Sequence, residues 1–256
     1  MNLTKTSNPV FKERVFSKGY TSSQEVMTIN GTVNKTGLML LLVLAGAVFT
    51  WSKFFNAATF ENPQAGMSAI IPWLAIGGIG GFIAVLVTVF SPRSSGISAP
   101  IYAVFEGLFL GGISALLEMR YSGIVIRAVG LTLAVFMVML FLYRSGIINV
   151  NRKFMMGVFA ATGGIALMYF VSFIAGMFGA NLGFLHGNSN LSIGISLVVI
   201  VVAALNLVLD FAFIERAAKS GTPKYMEWYG AFGLMVTLVW LYLEILRLLA
   251  KIASRD

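Results

Sequence analysis

The sequence has no cysteine, one histidine (His186), six prolines and few charges: Asp, Glu, Lys and Arg make up 11% of its 256 residues. Without cysteine there are no disulfides, iron–sulfur clusters or thiol nucleophiles, and a single histidine removes most zinc and triad chemistry. Soluble domains carry about a quarter charged residues, so the scarcity of charge argues against a water-soluble globule. What is abundant is apolar. Hydrophobic residues form 58% of the chain, with a mean hydropathy of +0.87. Only helices and closed barrels satisfy the backbone inside lipid, and these apolar runs are unbroken where barrel strands would alternate. The expected class is an all-α membrane protein.

The formal net charge is +8, from 18 Lys and Arg against 10 Asp and Glu. The cations fall between apolar runs, where they orient helices and meet anionic head groups, and no aromatic-basic motif accompanies them. The expected partner is therefore the lipid bilayer, not nucleic acid. Residues 1–36 read as a polar cytoplasmic tail with no cleavable signal, since the first apolar run begins only near Leu38. Within the tail, Phe11, Val15 and Phe16 beside Lys12 and Arg14 suit either a short surface helix or a disordered segment. Residues 37–256 read as one transmembrane domain.

Seven runs approach the roughly 17–25 residues a bilayer crossing needs: Gly37–Phe55, Pro72–Phe90, Ala99–Leu117, Ile124–Tyr143, Phe154–Phe178, Leu191–Phe213 and Met226–Leu249. The Gly- and Asn-rich segment Gly179–Asn190, which holds His186, supplies the turn after the fifth run. Placing the N-terminus inside puts twelve Lys and Arg on the cytoplasmic side and six on the other. This favours a cytoplasmic N-terminus and an outside C-terminus, although the C-terminal cations Arg247, Lys251 and Arg255 argue mildly against it. Gly77, Gly78, Gly80 and Gly81 crowd the second run, and Gly107 and Gly111 form a GxxxG in the third. Such small faces let helices approach closely in lipid.

Ionisable groups inside apolar runs are the informative residues, because each costs about 2.5–3.5 kcal/mol or more at mid-bilayer unless paired or hydrated. Three acids are so placed: Glu106 in FEGLFLGG, Asp210 in LNLVLDFAFIE and Glu244 in WLYLEILRLL. Asp210 has Asn206 one turn earlier on the same face. Two buried acids sharing a proton titrate as a pair, which makes a proton-operated latch or, with both ionised, a site for a hard cation. The structural alternative is an Asp that snorkels toward Arg216 or Lys219. Glu244 and Arg247 are spaced for an i,i+3 ion pair. Glu106 has no local cation and must find a partner on another helix, stay protonated or face water. Arg93, at the mouth between the second and third runs, reads as a positive-inside anchor or as a cation able to reach a carboxylate there. No nucleophile–base pair or metal-ligand set appears in the membrane, so an enzyme is not expected. The last run holds a Lys only at its end, Lys251, which excludes a rhodopsin-type site.

Two stretches, LVLDFAFIERAAKSG and MEWYGAFGLMVTLVWLYLEILRLLAKIASRD, resemble the Bax inhibitor-1 family, also called the transmembrane Bax-inhibitor-motif family and including bacterial YccA-like members. The resemblance covers roughly residues 37–256. It implies six helices around a central seventh, a bacterial inner or plasma membrane location, and a pH-sensitive calcium leak governed by two aspartates and an arginine. Asp210 matches the first aspartate and Arg93 the arginine. The second aspartate falls near Thr237 or Leu238, neither of them acidic, and Glu244 lies two turns beyond Thr237. The resemblance thus gives Asp210 and Arg93 as gating residues, and Glu106, Glu244, Asn206 and Thr237 as candidates along an ion pathway. Asp210 is the candidate calcium contact, and no resident cofactor is expected beyond transported calcium. Two alternatives use the same residues or the tail: a non-conducting regulator that binds a membrane protease or another membrane partner, and a proton-coupled transporter.

Overall fold

The computed structural model describes residues 25–58, 62–179 and 187–255. The proposed surface helix of the tail and the loop position of His186 lie outside these residues. The chain forms α1 (Ile29–Ala57), α2 (Pro63–Phe90), a 3₁₀ turn (Pro92–Ser94), α3 (Ser95–Arg120), α4 (Ile124–Arg144), α5 (Arg152–Met177), α6 (Asn190–Lys219) and α7 (Met226–Ala253). All seven α-helices are long and apolar enough to cross a membrane, and no strand occurs among the described residues. The protein is an integral, all-α membrane protein.

The helices are longer than the apolar runs that announce them, most of all at two starts. α1 begins eight residues before Gly37, so the boundary expected between tail and membrane domain falls inside a helix. Thr28 caps that helix by accepting from the Gly31 amide at 2.9 Å. The Thr32 and Thr36 hydroxyls then donate to carbonyls one turn back, at 3.0 and 2.9 Å. These bonds satisfy polar groups that hydropathy alone reads as tail. α2 begins at Pro63 under an Asn62 cap, and Pro72 sits inside it. Pro63 occupies the first turn, where a missing N–H costs nothing. Pro72 is accommodated as internal prolines of membrane helices are.

α7 is the most buried helix and packs directly against α1, α3, α4 and α6. α2 lies against α1 and α3, and α5 lies against α6. Four helices therefore pack along the central one, while α2 and α5 take outer positions, α5 reaching α7 through the Tyr169 side chain. Leu207 on α6 and Leu241 on α7 are fully buried in the α6–α7 seam. The α1–α3 contact is made backbone to backbone. A Cβ at Gly46 would lie 2.9 Å from the Val104 carbonyl oxygen, while one at Gly107 or Gly111 would strike the backbone of Val43 or Ala47. The GxxxG expected as a packing face thus faces α1. The Thr50 hydroxyl seals this contact by donating to the Leu108 carbonyl at 3.0 Å. The periphery exposes large apolar side chains such as Phe82, Phe141, Phe159 and Phe173, a surface suited to acyl chains.

The two ends of the bundle differ in charge. Lys35, Arg93, Arg144, Arg152, Lys153, Arg216, Lys219 and Lys224 gather at one end, called here the basic face. Gly221, at φ 65°, turns the chain between α6 and α7 there, a backbone conformation that glycine adopts without a Cβ penalty.

Candidate functional site

Asp210 lies on α6, nine residues before its end at Lys219, which is roughly 14 Å deep at 1.5 Å per residue. Its carboxylate is turned toward α7. Oδ1 stands 4.0 Å from where a Cβ would sit on Gly233, and the Thr237 hydroxyl lies beside the carboxylate. That hydroxyl donates to the Gly233 carbonyl at 3.3 Å. Gly233 and Thr237 are one turn apart on α7, so the missing side chain of one makes room for the Asp210 carboxylate and the other sets a hydroxyl next to it. Oδ2 is shut away from solvent and has no hydrogen-bond partner. Asn206, one turn before Asp210, looks elsewhere: its amide donates to the Thr162 hydroxyl on α5 at 2.8 Å and to the Val202 carbonyl at 2.9 Å.

Glu106 on α3 is half-buried. Its partner is the Tyr102 hydroxyl one turn earlier on the same helix, and its Oε2 lies 3.4 Å from where a Cβ would sit on Gly81 of α2. The Tyr102 ring meets Phe232 of α7 edge-on at 5.2 Å. Glu106 thus lies beside α2, and it is the Tyr102 ring that meets α7.

Glu244 belongs to a separate cluster toward the opposite face, about 10 Å beyond Thr237 along α7. Its Oε1 accepts from Arg247 at 2.7 Å and from the Tyr169 hydroxyl of α5 at 2.8 Å, and Arg247 also donates to that hydroxyl at 2.8 Å. The i,i+3 ion pair legible in the sequence is present. Oε2 of Glu244 is buried with no partner. Nearby, the buried Lys251 ammonium donates to the Ser192 carbonyl at 3.2 Å and the Ser196 hydroxyl at 2.9 Å. Fully buried Leu241 lies between Thr237 and Glu244 on α7. The three membrane acids therefore occupy three places. Arg93 sits exposed in the 3₁₀ turn on the basic face and takes no part in the four ion pairs among the described residues.

Set against known families, residues 8–254 match the family described as Bax inhibitor 1 like, nearly the whole chain. The chain belongs to that family. No curated protein and no solved structure matches it.

Within this Bax inhibitor 1 like chain, the position facing Asp210 from α7 is held by Thr237, a neutral donor. Leu238, the neighbouring candidate, is buried in the apolar core instead. Among the described residues no group of three or more His, Cys, Asp or Glu is placed to hold a metal. Two polar centres escaped the sequence reading. Glu227, in the first turn of α7, is 2% exposed. It accepts from the Thr28 amide and hydroxyl, each at 2.9 Å, and pairs with Lys35. Gly31 makes room for it, since a Cβ there would collide with the Glu227 carboxylate. Glu215, one turn before the end of α6, accepts from the Tyr143 hydroxyl and pairs with Lys219 at 2.5 Å. The Glu215–Lys219 spacing of four residues was a readable signal. Lys35 and Glu227 are 192 residues apart, and nothing local links them.

Proposed function

We propose that this Bax inhibitor 1 like protein is a pH-sensitive cation leak, with calcium as the permeant ion and Asp210 as the titrating gate. The single observation that carries the reading is the setting of Asp210. It is a carboxylate sunk between α6 and the central α7, with one oxygen turned to Thr237 and Gly233 and the other buried without a donor. When ionised, Asp210 accepts from Thr237 and ties α6 to α7. A proton on Asp210 removes the charge from that bond and leaves the Thr237 hydroxyl to its own Gly233 carbonyl. The loss weakens the closed seam by about 1–3 kcal/mol, roughly 5- to 150-fold in the open population. Hard cations take oxygen ligands, and a parted seam offers the Asp210 carboxylate, the Thr237 hydroxyl and the Gly233 carbonyl at one level. The latch in this reading is a hydrogen bond and not an ion pair with Arg93, because neither Asp210 nor Arg93 enters an ion pair among the described residues. Glu106 and Glu244 stand as further acids of the route, the first beside α2 and the second toward the opposite face. The excess of cations assigns the basic face to the cytoplasm.

The test is calcium flux through purified protein in liposomes between about pH 6 and 8, the interval a displaced carboxylate spans. Flux should rise as pH falls in the wild type and lose that dependence in Asp210→Asn. Identical pH profiles would remove Asp210 from the gate. No flux in either protein would leave the non-conducting regulatory reading, in which binding of a membrane partner such as a protease is the activity.

A further inference from the structure

Four residues ahead of α1 are tied down to the loop joining α6 and α7. Val26 and Pro223 form an antiparallel bridge. The Met27 amide donates to the Thr222 carbonyl at 2.8 Å, and the Lys224 amide to the Glu25 carbonyl at 2.9 Å. The Lys224 and Glu25 side chains form an ion pair that is 50% and 71% exposed. Thr28 is held by Glu227. The consequence falls on Met27, whose side chain is 2% exposed although the residue precedes the first helix. It points into the bundle, with the Thr222 hydroxyl 3.5 Å from its sulfur. A Cβ placed on Gly230 would lie 3.4 Å from Met27 Cε, 3.4 Å from Thr32 Cγ2 and 3.1 Å from Ile214 Cγ1. Gly230 is one turn before Gly233, where Asp210 looks onto α7. The side chains of Met27, Thr32 and Ile214 thus fill the space between α1, α6 and α7 directly on the basic-face side of Asp210.

We propose that residues 25–28 are an autoinhibitory strap, with Met27 as its plug, closing the basic-face end of the α6–α7 seam so that access to Asp210 from that face requires release of the strap. As regulation of ion flow the inference rests on the reading of Asp210 as a gate; as a statement about access it stands apart from conduction. The fastening is divided to suit such a role. Glu227 anchors Thr28 in the interior, while the outermost tie, Glu25 to Lys224, is a solvent-exposed pair of the kind that opens readily.

The chain has no cysteine, so one introduced thiol reports unambiguously. Gly233→Cys is the probe, because the nearest heavy atom to a Cβ there is Asp210 Oδ1 at 4.0 Å. The rate of labelling by a membrane-impermeant thiol reagent is measured in vesicles that present the basic face. In this background Lys224→Glu sets two like charges at the outer tie and should speed labelling about two- to fivefold, the scale of an exposed pair. The charge swap Glu25→Lys with Lys224→Glu should restore the slow rate. Met27→Ala should speed labelling at least about tenfold, since it empties a filled site. Equal rates in all of these proteins would overturn the strap. Lys224→Glu alters an exposed side chain, so the result does not depend on Met27→Ala folding well. Calcium flux through the same strap variants with Gly233 kept, since a side chain there would fill the space beside Asp210, separates the two readings. Faster labelling with no flux in any protein retains the strap and removes the leak, whereas wild-type flux with unchanged labelling removes the strap alone.

Discussion

Replacing Gly111 by alanine adds one methyl group where α3 has no room for it. A Cβ at that position would lie 2.5 Å from Ala47 Cα and closer still to the Ala47 carbonyl oxygen and the Thr50 hydroxyl. Carbon contacts are most favourable at about 3.5–4.0 Å, so α1 and α3 must separate by about 1 Å. Overpacking of this kind costs about 1–3 kcal/mol. Separation also stretches the Thr50–Leu108 bond, now 3.0 Å, and a bond between membrane helices is worth about 0.6–1.7 kcal/mol. Alanine returns about 1 kcal/mol through its higher helix propensity. The net expectation for Gly111→Ala is a loss of about 1–4 kcal/mol. Gly163→Ala on α5 is the matched control, because nothing lies within 4 Å of its Cβ position. It should be neutral or stabilising by up to about 1 kcal/mol. Equilibrium unfolding in mixed detergent micelles, followed by tryptophan fluorescence, compares the two; Trp51, Trp228 and Trp240 lie on α1 and α7. A Gly111→Ala protein as stable as Gly163→Ala would refute the close backbone packing of α1 on α3.

Glu227→Gln should destabilise by about 3–5 kcal/mol at most, because it leaves the Lys35 ammonium, 18% exposed, without its buried partner. The double variant with Lys35→Met should recover part of that loss in the same unfolding assay, and strict additivity would contradict the pairing. Tyr169→Phe removes the hydroxyl that joins α5 to Glu244 and Arg247 and should cost about 0.6–1.7 kcal/mol. Hydrogen exchange should quicken along α5 while α3 stays protected, and unchanged exchange on α5 would show that the hydroxyl does not hold the helix.

Fold and site differ in how far they can be read from the chain. Hydropathy is a property of consecutive residues, so Ile124–Tyr143 reproduces α4 to within one residue, and Met226–Leu249 shares the start of α7 and stops four residues short of its end. It goes wrong at the starts of α1 and α2, where caps by Thr28 and Asn62 extend helices beyond the apolar run. Asp210 stood out because an acid directly after a 56-residue stretch free of charge, Phe154–Leu209, and inside an apolar run must have an explanation. Its contact with Thr237 depends on the rotation of α6 against α7, which local spacing does not encode; the family resemblance pointed to that position. The same limit hid Tyr169 as the partner of Glu244. For Glu106 a partner on another helix, a proton or water were the alternatives; the nearest hydroxyl to act on it is that of Tyr102 on its own helix, at the i,i+4 spacing that was there to be read.

The central claim is that the protonation state of Asp210 sets the state of the α6–α7 seam. Infrared difference spectroscopy of the reconstituted protein, stepped through the interval in which calcium flux changes, measures this directly. A carbonyl band of a protonated, water-shielded acid should grow as pH falls, in step with flux, and be missing in Asp210→Asn. A band that survives in Asp210→Asn, or one that titrates while flux stays constant, would contradict the account.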